Sequence, residues 1–191
     1  MTTTTKQIPR KTEGTSGISG SGVKSWKNKN CQLHRTDGPA VIYPDGIKKW
    51  YINGKLHRED GPAVTHPDGE KSWYQNGRVH RIDGPAIIHL DGQKQWYQNG
   101  KRHRTDGPAI IKANGTRYWY QNGKKHRTDG PAVIYSCGEK VWYQNGKVHR
   151  TDGPAIIYSC GTQTYYYEGM RSTENDIRWF MVINALSGNI T

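Results

Sequence analysis

The chain has 191 residues and a formal net charge of +12. Only 32% of it is hydrophobic, with one Phe against 7 Trp and 12 Tyr, so a large Leu-rich interior is excluded and the core must be thin, aromatic and β-branched. No apolar run is long enough to span a membrane, no apolar signal segment stands near the start, and three cysteines are more simply free thiols than a disulfide framework, which together point to a cytoplasmic setting.

Residues 1–22 are rich in Thr, Ser, Gly and Lys and show no periodicity. They are expected to form a disordered basic leader. From Val23, SWKNKNCQLH parallels the later KWYINGKLH and reads as a degraded first half-repeat. Cys31 falls where other copies have Gly, and Trp26 is displaced by one place.

From His34 one sentence is written six times: HRTDGPAVIYPDGIKKWYING, restarting at His57, His80, His103, His126 and His149 with a step of 23 residues and no insertion. A fixed period of this length marks a stack of units that cannot bury their apolar faces alone. Within a copy, residues 39–43 (PAVIY) read as a strand, Pro44-Asp45-Gly46 as a turn, residues 47–52 (IKKWYI) as a second strand, and Asn53-Gly54 as a hairpin turn. Residues 55–58 form a short extended return, and Asp60-Gly61-Pro62 turns the chain into the next copy. Alternation places Trp50, Trp73, Trp96, Trp119 and Trp142 on one face and Tyr51, Tyr74, Tyr97, Tyr120 and Tyr143 on the other. The Trp row is expected to be the inner structural ladder.

The pattern breaks after residue 169. Thr173 is a candidate N-cap, Glu174 and Asp176 suit a first helical turn, and Ile177, Phe180, Val182, Ile183 and Leu186 give an apolar side ended by Ser187-Gly188. The expected fold is all-β: an elongated single-layer antiparallel β-hairpin repeat sheet over residues 23–169, with a C-terminal capping helix over 173–187 that covers the last open strand edge.

The segments WYINGKLHREDGPAV (50–64), WYQNGRVHRIDGPAI (73–87) and WYQNGKRHRTDGPAI (96–110) resemble the MORN repeat family, in a variant form found in proteins of large tailed phages and giant viruses. The resemblance covers roughly residues 24–169. It implies successive hairpins in a twisted sheet that serves as an interaction or scaffolding surface. HRxDGPA stands where the family has G-x-G between hairpins, which weakens any transfer of lipid binding. A viral protein would act in the cytoplasm of the host cell.

No residue pattern marks a catalytic or metal site. His34 and its equivalents recur at about 10 Å in stacked hairpins, too far to share a zinc held by bonds of about 2 Å. They are expected to satisfy turn backbone, with Arg pairing Asp. Every candidate nucleophile or base occurs once per copy in the same setting, Cys137 and Cys160 occupy turn positions, and neither enzyme activity nor a cofactor is expected. Two binding readings remain. A protein partner, of a viral host if the resemblance holds, would meet Tyr51, Tyr74, Tyr97, Tyr120 and Tyr143 together with Arg58, Arg81, Arg104, Arg127 and Arg150, since Tyr and Arg make interface hot spots. Variable columns support it: Lys49 aligns with Ser72, Gln95, Tyr118, Val141 and Thr164, and Tyr43 with His66, His89, Lys112, Tyr135 and Tyr158. The alternative is a non-specific nucleic-acid binder using Lys48, Lys71, Lys94, Arg117 and Lys140 beside the Tyr rows. Against it, residues 30–169 hold twenty Lys or Arg against thirteen Asp or Glu, a modest excess for that length.

Overall fold

Counted from the glycine after each HRxD, so that the first runs from Gly38 to Asp60, each 23-residue copy folds as two hairpins that share one tryptophan. The computed structural model describes residues 15–187. Residues 1–14 of the expected leader, and Gly188 at the expected helix stop, lie outside the described residues. The chain divides into two units, Met1–Arg78 and Val79–Thr191, and the same construction serves both. The fold is the expected antiparallel β-hairpin repeat sheet with one C-terminal helix.

In the first hairpin, Val41–Ile42 pairs with Lys48–Lys49. The Tyr43 N–H donates to the Ile47 carbonyl at 2.9 Å, and Asp45 Oδ1 accepts the Ile47 N–H at 3.0 Å. Gly46 sits at φ 87°, a conformation that favours glycine. Lys48–Lys49 then pairs with Val64–Thr65 of the next copy, so hairpins join edge to edge in chain order. The same ladder runs through the second unit, from Ile87–Ile88 paired with Lys94–Gln95 to Ile156–Ile157 paired with the strand Gln163–Tyr167.

The second hairpin is a separate ribbon of Tyr51–Ile52 and Lys55–Leu56. Its Asn53 and Gly54 lie at φ 48° and 76°, the pair of positive values that a type I′ turn needs. The expected continuous strand over 47–52 is therefore broken at Trp50. Its N–H donates to the Ala63 carbonyl of the following copy at 2.8 Å, and its carbonyl accepts the His57 N–H of its own copy at 3.1 Å. The period-2 pattern runs through this change of partner, so the sequence alone gives no sign of it.

The residues that exclude water completely are small. Ala40, Ala63, Ala86, Ala109, Ala132 and Ala155 are all 0% exposed, flanked by Val41, Val64, Ile110 and Val133. The Trp row, expected to be the inner ladder, is half-buried. The thin core follows from this: one constant Ala per copy, closed by backbone hydrogen bonds from Trp, carries the stacking.

Both ends depart from the sequence reading. Thr15–Ile18 is a strand paired with Lys24–Lys27, so the sheet begins inside the stretch assigned to a disordered leader. Its turn, with Gly22 at φ 77°, was hidden by the low-complexity Ser/Gly composition around it. Trp26 takes the place of Trp50 after all, its N–H donating to the Ala40 carbonyl at 2.9 Å. The extra residue is absorbed in the Asn28–Gln32 turn, where Asn28 Oδ1 accepts the N–H groups of Asn30 and Gln32. At the other end, Met170–Ser172 pairs with Tyr165–Tyr167, and the helix spans Glu174–Ser187. Thr173 Oγ1 accepts the Asp176 N–H at 3.2 Å while Asp176 Oδ2 accepts the Thr173 N–H at 2.8 Å, a reciprocal cap. The helix packs on Gln163–Tyr167 through buried Ile177. Val182 and Ile183, expected on its covered side, are exposed, as is Trp179. The side chains of Phe180 and Leu186 lie outside the description. No helix of the described residues is long and apolar enough to cross a membrane.

Candidate functional site

The constant HRxDGPA residues build a frame. The Arg58 guanidinium lies 4.2 Å from the centre of the Trp50 ring, and Arg104, Arg127 and Arg150 lie 4.1–4.3 Å from Trp96, Trp119 and Trp142. Arg35 does the same to Trp26 at 4.2 Å. Such stacks contribute about 0.5–1 kcal/mol each where partly exposed. Each Arg is also fixed twice more: Arg104 Nε donates to Asp106 Oδ1 at 2.9 Å and its Nη1 to the Pro108 carbonyl at 3.3 Å. Arg81 bonds Asp83 and the Pro85 carbonyl in the same way. The Arg hydrogen bond holds the carboxyls of Asp37, Asp60, Asp83, Asp106, Asp129 and Asp152 below the usual carboxylate range. The glycine after each Asp makes room for the guanidinium, since a Cβ on Gly61 would stand 3.1 Å from Arg58 Cζ.

The histidines lock neighbouring copies together. His34 Nδ1 accepts the Asn53 N–H at 3.1 Å, catching the next copy's type I′ turn. His57, His80, His103 and His126 catch Asn76, Asn99, Asn122 and Asn145 at 3.1–3.2 Å, and His149 catches Glu168 at 3.1 Å. An accepting Nδ1 means a neutral ring with its proton on Nε2. Among the described residues no three His, Cys, Asp or Glu side chains are grouped to hold a metal ion. Cys137 and Cys160 are free and exposed in their turns. The hydrogen bond between Cys160 and Thr162 holds the Cys160 thiol below its usual range.

Grooves open between successive HRxDG loops. One of about 690 Å³ is bordered by Arg35, Asp37, Trp50, His57, Arg58 and Asp60, and similar ones recur in the second unit. The groups that border them are the paired, stacked side chains of the frame. The row Lys48, Lys71, Lys94, Arg117 and Lys140 is exposed in every copy. Cross-strand register sets Lys48 opposite Ile42, one residue out of phase with the Tyr43 and Lys49 columns, so this row points to the other face from them.

A different surface gathers around the Tyr row. Tyr51, Tyr74, Tyr97, Tyr120 and Tyr143 are half-buried. In the second unit, the Tyr97 hydroxyl donates to Gln95 Oε1 at 3.1 Å and accepts from Arg102 Nε at 3.0 Å, while the Gln95 amide meets His89 Nε2 at 2.9 Å. The Arg102 guanidinium lies between two tyrosines of successive copies, 5.8 Å from the Tyr97 ring and 5.5 Å from Tyr120. One copy on, Lys125 Nζ lies 4.7 Å from Tyr143 of the Tyr row and 5.8 Å from Tyr118, which stands in the Lys49 column. Lys112 Nζ stands 5.5 Å from Tyr118, whose ring meets Tyr135 edge-on at 6.1 Å. Burial pushes the Lys125 ammonium down and the phenols of Tyr143 and Tyr135 up.

The sequence-predicted binding face thus splits. Its Tyr members share a surface with the two variable columns. The side chains of Arg58, Arg104, Arg127 and Arg150 lie over the Trp row instead, and Arg81 is held by Asp83 and Pro85. The residues that sequence reasoning missed are Arg102 and Lys125. Their column reads Leu56, Val79, Arg102, Lys125, Val148 and, in the last hairpin, Arg171, and its switch from apolar to cationic in two adjacent copies was the available signal. No family profile matches the chain, and no curated protein matches it.

Proposed function

We propose that this protein is a non-enzymatic binding scaffold whose partner is a protein held against the Tyr-bearing surface. The observation that carries the reading is the division of labour within each copy. HRxDGPA and Trp are spent on internal stacking and hydrogen bonds, while the columns at Tyr43, Lys49 and Leu56 change from copy to copy and cluster with the Tyr row. A surface that varies on a constant frame matches one non-repeating partner, and Tyr with Arg supplies the anchors. The MORN-like pattern supports a scaffolding role. On its viral likeness alone, we assign the partner to a host cell and the role to inhibition of a host protein such as a defence factor.

The nucleic-acid alternative keeps one observation in its favour, the exposed Lys48 row. Those lysines are out of phase with the tyrosines on which bases would stack, however, and ring faces of Tyr97, Tyr120 and Tyr143 are already occupied by Arg102 and Lys125. Pull-down from lysate with and without nuclease, followed by a salt series, separates the two. A stoichiometric protein that survives nuclease and shows shallow salt dependence is the expected result. Loss of every partner on nuclease treatment, with retardation of DNA or RNA at physiological salt, would overturn it.

A further inference from the structure

The second unit carries two classes of cation. Arg104, Arg127 and Arg150 each have a carboxylate within 3.0 Å. Arg102, Lys112 and Lys125 have none among the described residues; tyrosine rings and hydroxyls are what surround them. Arg102 and Lys125 are half-buried, and partly burying a cation without a counter-charge is unfavourable. The flanking copies avoid it by having Leu56, Val79 and Val148 in the same column. Two adjacent copies therefore carry, at a structural cost, charges that nothing within the described chain neutralises.

Resting on the protein-binding reading above, we infer that the row Arg102–Lys125, with Lys112 beside it, is the docking site for an extended acidic polypeptide segment running along the stack. Spacing selects the conformation. Arg102 and Lys125 occupy the same place in successive copies, and each copy adds two strands, so they recur at about 9.4–9.8 Å. A polyproline II chain returns to the same side every third residue, after about 9.3 Å. Carboxylates at i and i+3 would meet the two cations in turn. The intervening residues would lie on the Tyr120 and Tyr118 edges, where apolar groups, proline above all, pack on aromatic rings. A single nucleic-acid strand fits less well, because cations occupy ring faces that its bases would need.

The probe is a labelled 12-residue peptide of four Glu-Pro-Pro triplets, with a Gln-Pro-Pro peptide and a 12-nucleotide oligothymidine as controls. The variant is Arg102→Leu combined with Lys125→Val, which installs the residue types of the flanking copies and should melt like the wild type. The Glu peptide should bind the full-length wild type, the Gln peptide should not, and the double variant should lose more than about tenfold in affinity. Lys94→Gln, on the Lys48 row, should leave binding unchanged. Failure of the Glu peptide to bind, or equal binding by the folded double variant, overturns the site. Displacement of the peptide by an equal concentration of oligothymidine overturns the choice of polypeptide. A nuclease-resistant protein captured equally by wild type and double variant would remove this site while leaving the broader binding reading intact.

Discussion

Arg102 and Arg104 stand two residues apart and do opposite things. Arg104 is stacked on Trp96, bonded to Asp106 and tied to the Pro108 carbonyl. Its charge is consumed within its own copy. Arg102 lies between two tyrosines of successive copies with no carboxylate at hand among the described residues. The strand end that separates them is also the line between a repeated frame and a variable surface. Composition cannot distinguish the two, since both are arginines in the run KRHR. What separates them is which column is constant: the Arg104 column holds Arg from Arg35 through Arg150, whereas the Arg102 column runs Leu56, Val79, Arg102, Lys125, Val148 and Arg171.

The sharpest way to test this division is to remove one aromatic from each side. Trp96→Ala should cost about 3 kcal/mol, the low end for loss of a large aromatic because the ring is only half-buried and Arg104 loses its seat. Tyr97→Ala should cost about 1–2 kcal/mol, since it removes ring packing and bonds to Gln95 and Arg102 but leaves the Trp junction intact. Denaturant melts of both variants give the ratio. Equal losses would mean that the Tyr surface is as much frame as the Trp side, and the comparison would fail.

Arg104→Ala comes next, at about 1–3 kcal/mol, from the lost stack and the unsatisfied Pro108 carbonyl. Arg104→Lys should recover little of it, because a lysine cannot stack flat on Trp96 while donating along two directions. A full rescue by lysine would show that charge alone matters at this position. Arg102→Leu should leave the melt unchanged, because the bond lost to the Tyr97 hydroxyl offsets the relief of a half-buried unpaired charge, and that contrast is the direct measure of the difference between the two arginines.

The repeat, both glycine turns and the terminal helix were legible in the sequence because each is a local signal: a period, Asn-Gly, Thr173 followed by Asp176. Three features were not. The strand break at Trp50 leaves the alternation undisturbed, since only the hydrogen-bond partners change. The Arg–Trp stack joins Trp50 to Arg58 across a turn, and nothing in residue spacing favours it over an Arg facing solvent. Burial was misjudged for a related reason. Trp is the larger apolar residue, but the constant Ala is what neighbouring backbones close upon. The Tyr surface was half legible, through two variable columns, while the third, at Leu56, was read as an ordinary strand return.

Acid should loosen the frame by smaller steps. The six Asp carboxyls, from Asp37 to Asp152, are held below their ordinary range by the Arg hydrogen bond. A group whose pKa is depressed in the folded state contributes stability that is present above its unfolded value and lost as pH falls through the folded one. Melting temperature should therefore decline as pH drops below about 4. Asp106→Asn should lower stability at neutral pH and make that acid decline shallower. An unchanged acid slope would place the lability elsewhere than in the Arg–Asp pairs.

The smallest effect concerns the turn that carries a variable residue on the frame. In the first copy Asp45 Oδ1 accepts the Ile47 N–H, and Asp68, Asp91 and Asn114 do the same two residues before Glu70, Gln93 and Thr116. Cys137 occupies that place in the fifth copy, and its thiol makes no corresponding bond to the Glu139 N–H. Cys137→Asp should restore the acceptor and stabilise the fold by about 0.5–1 kcal/mol. The turn follows Tyr135, whose ring meets Tyr118, so the substitution stiffens the frame immediately beneath the variable surface. If frame and surface are separate, the melt should rise while affinity for the acidic peptide stays constant. A change in affinity that tracks the gain in stability would show instead that the binding surface relies on a loose turn, and that the frame takes part in recognition.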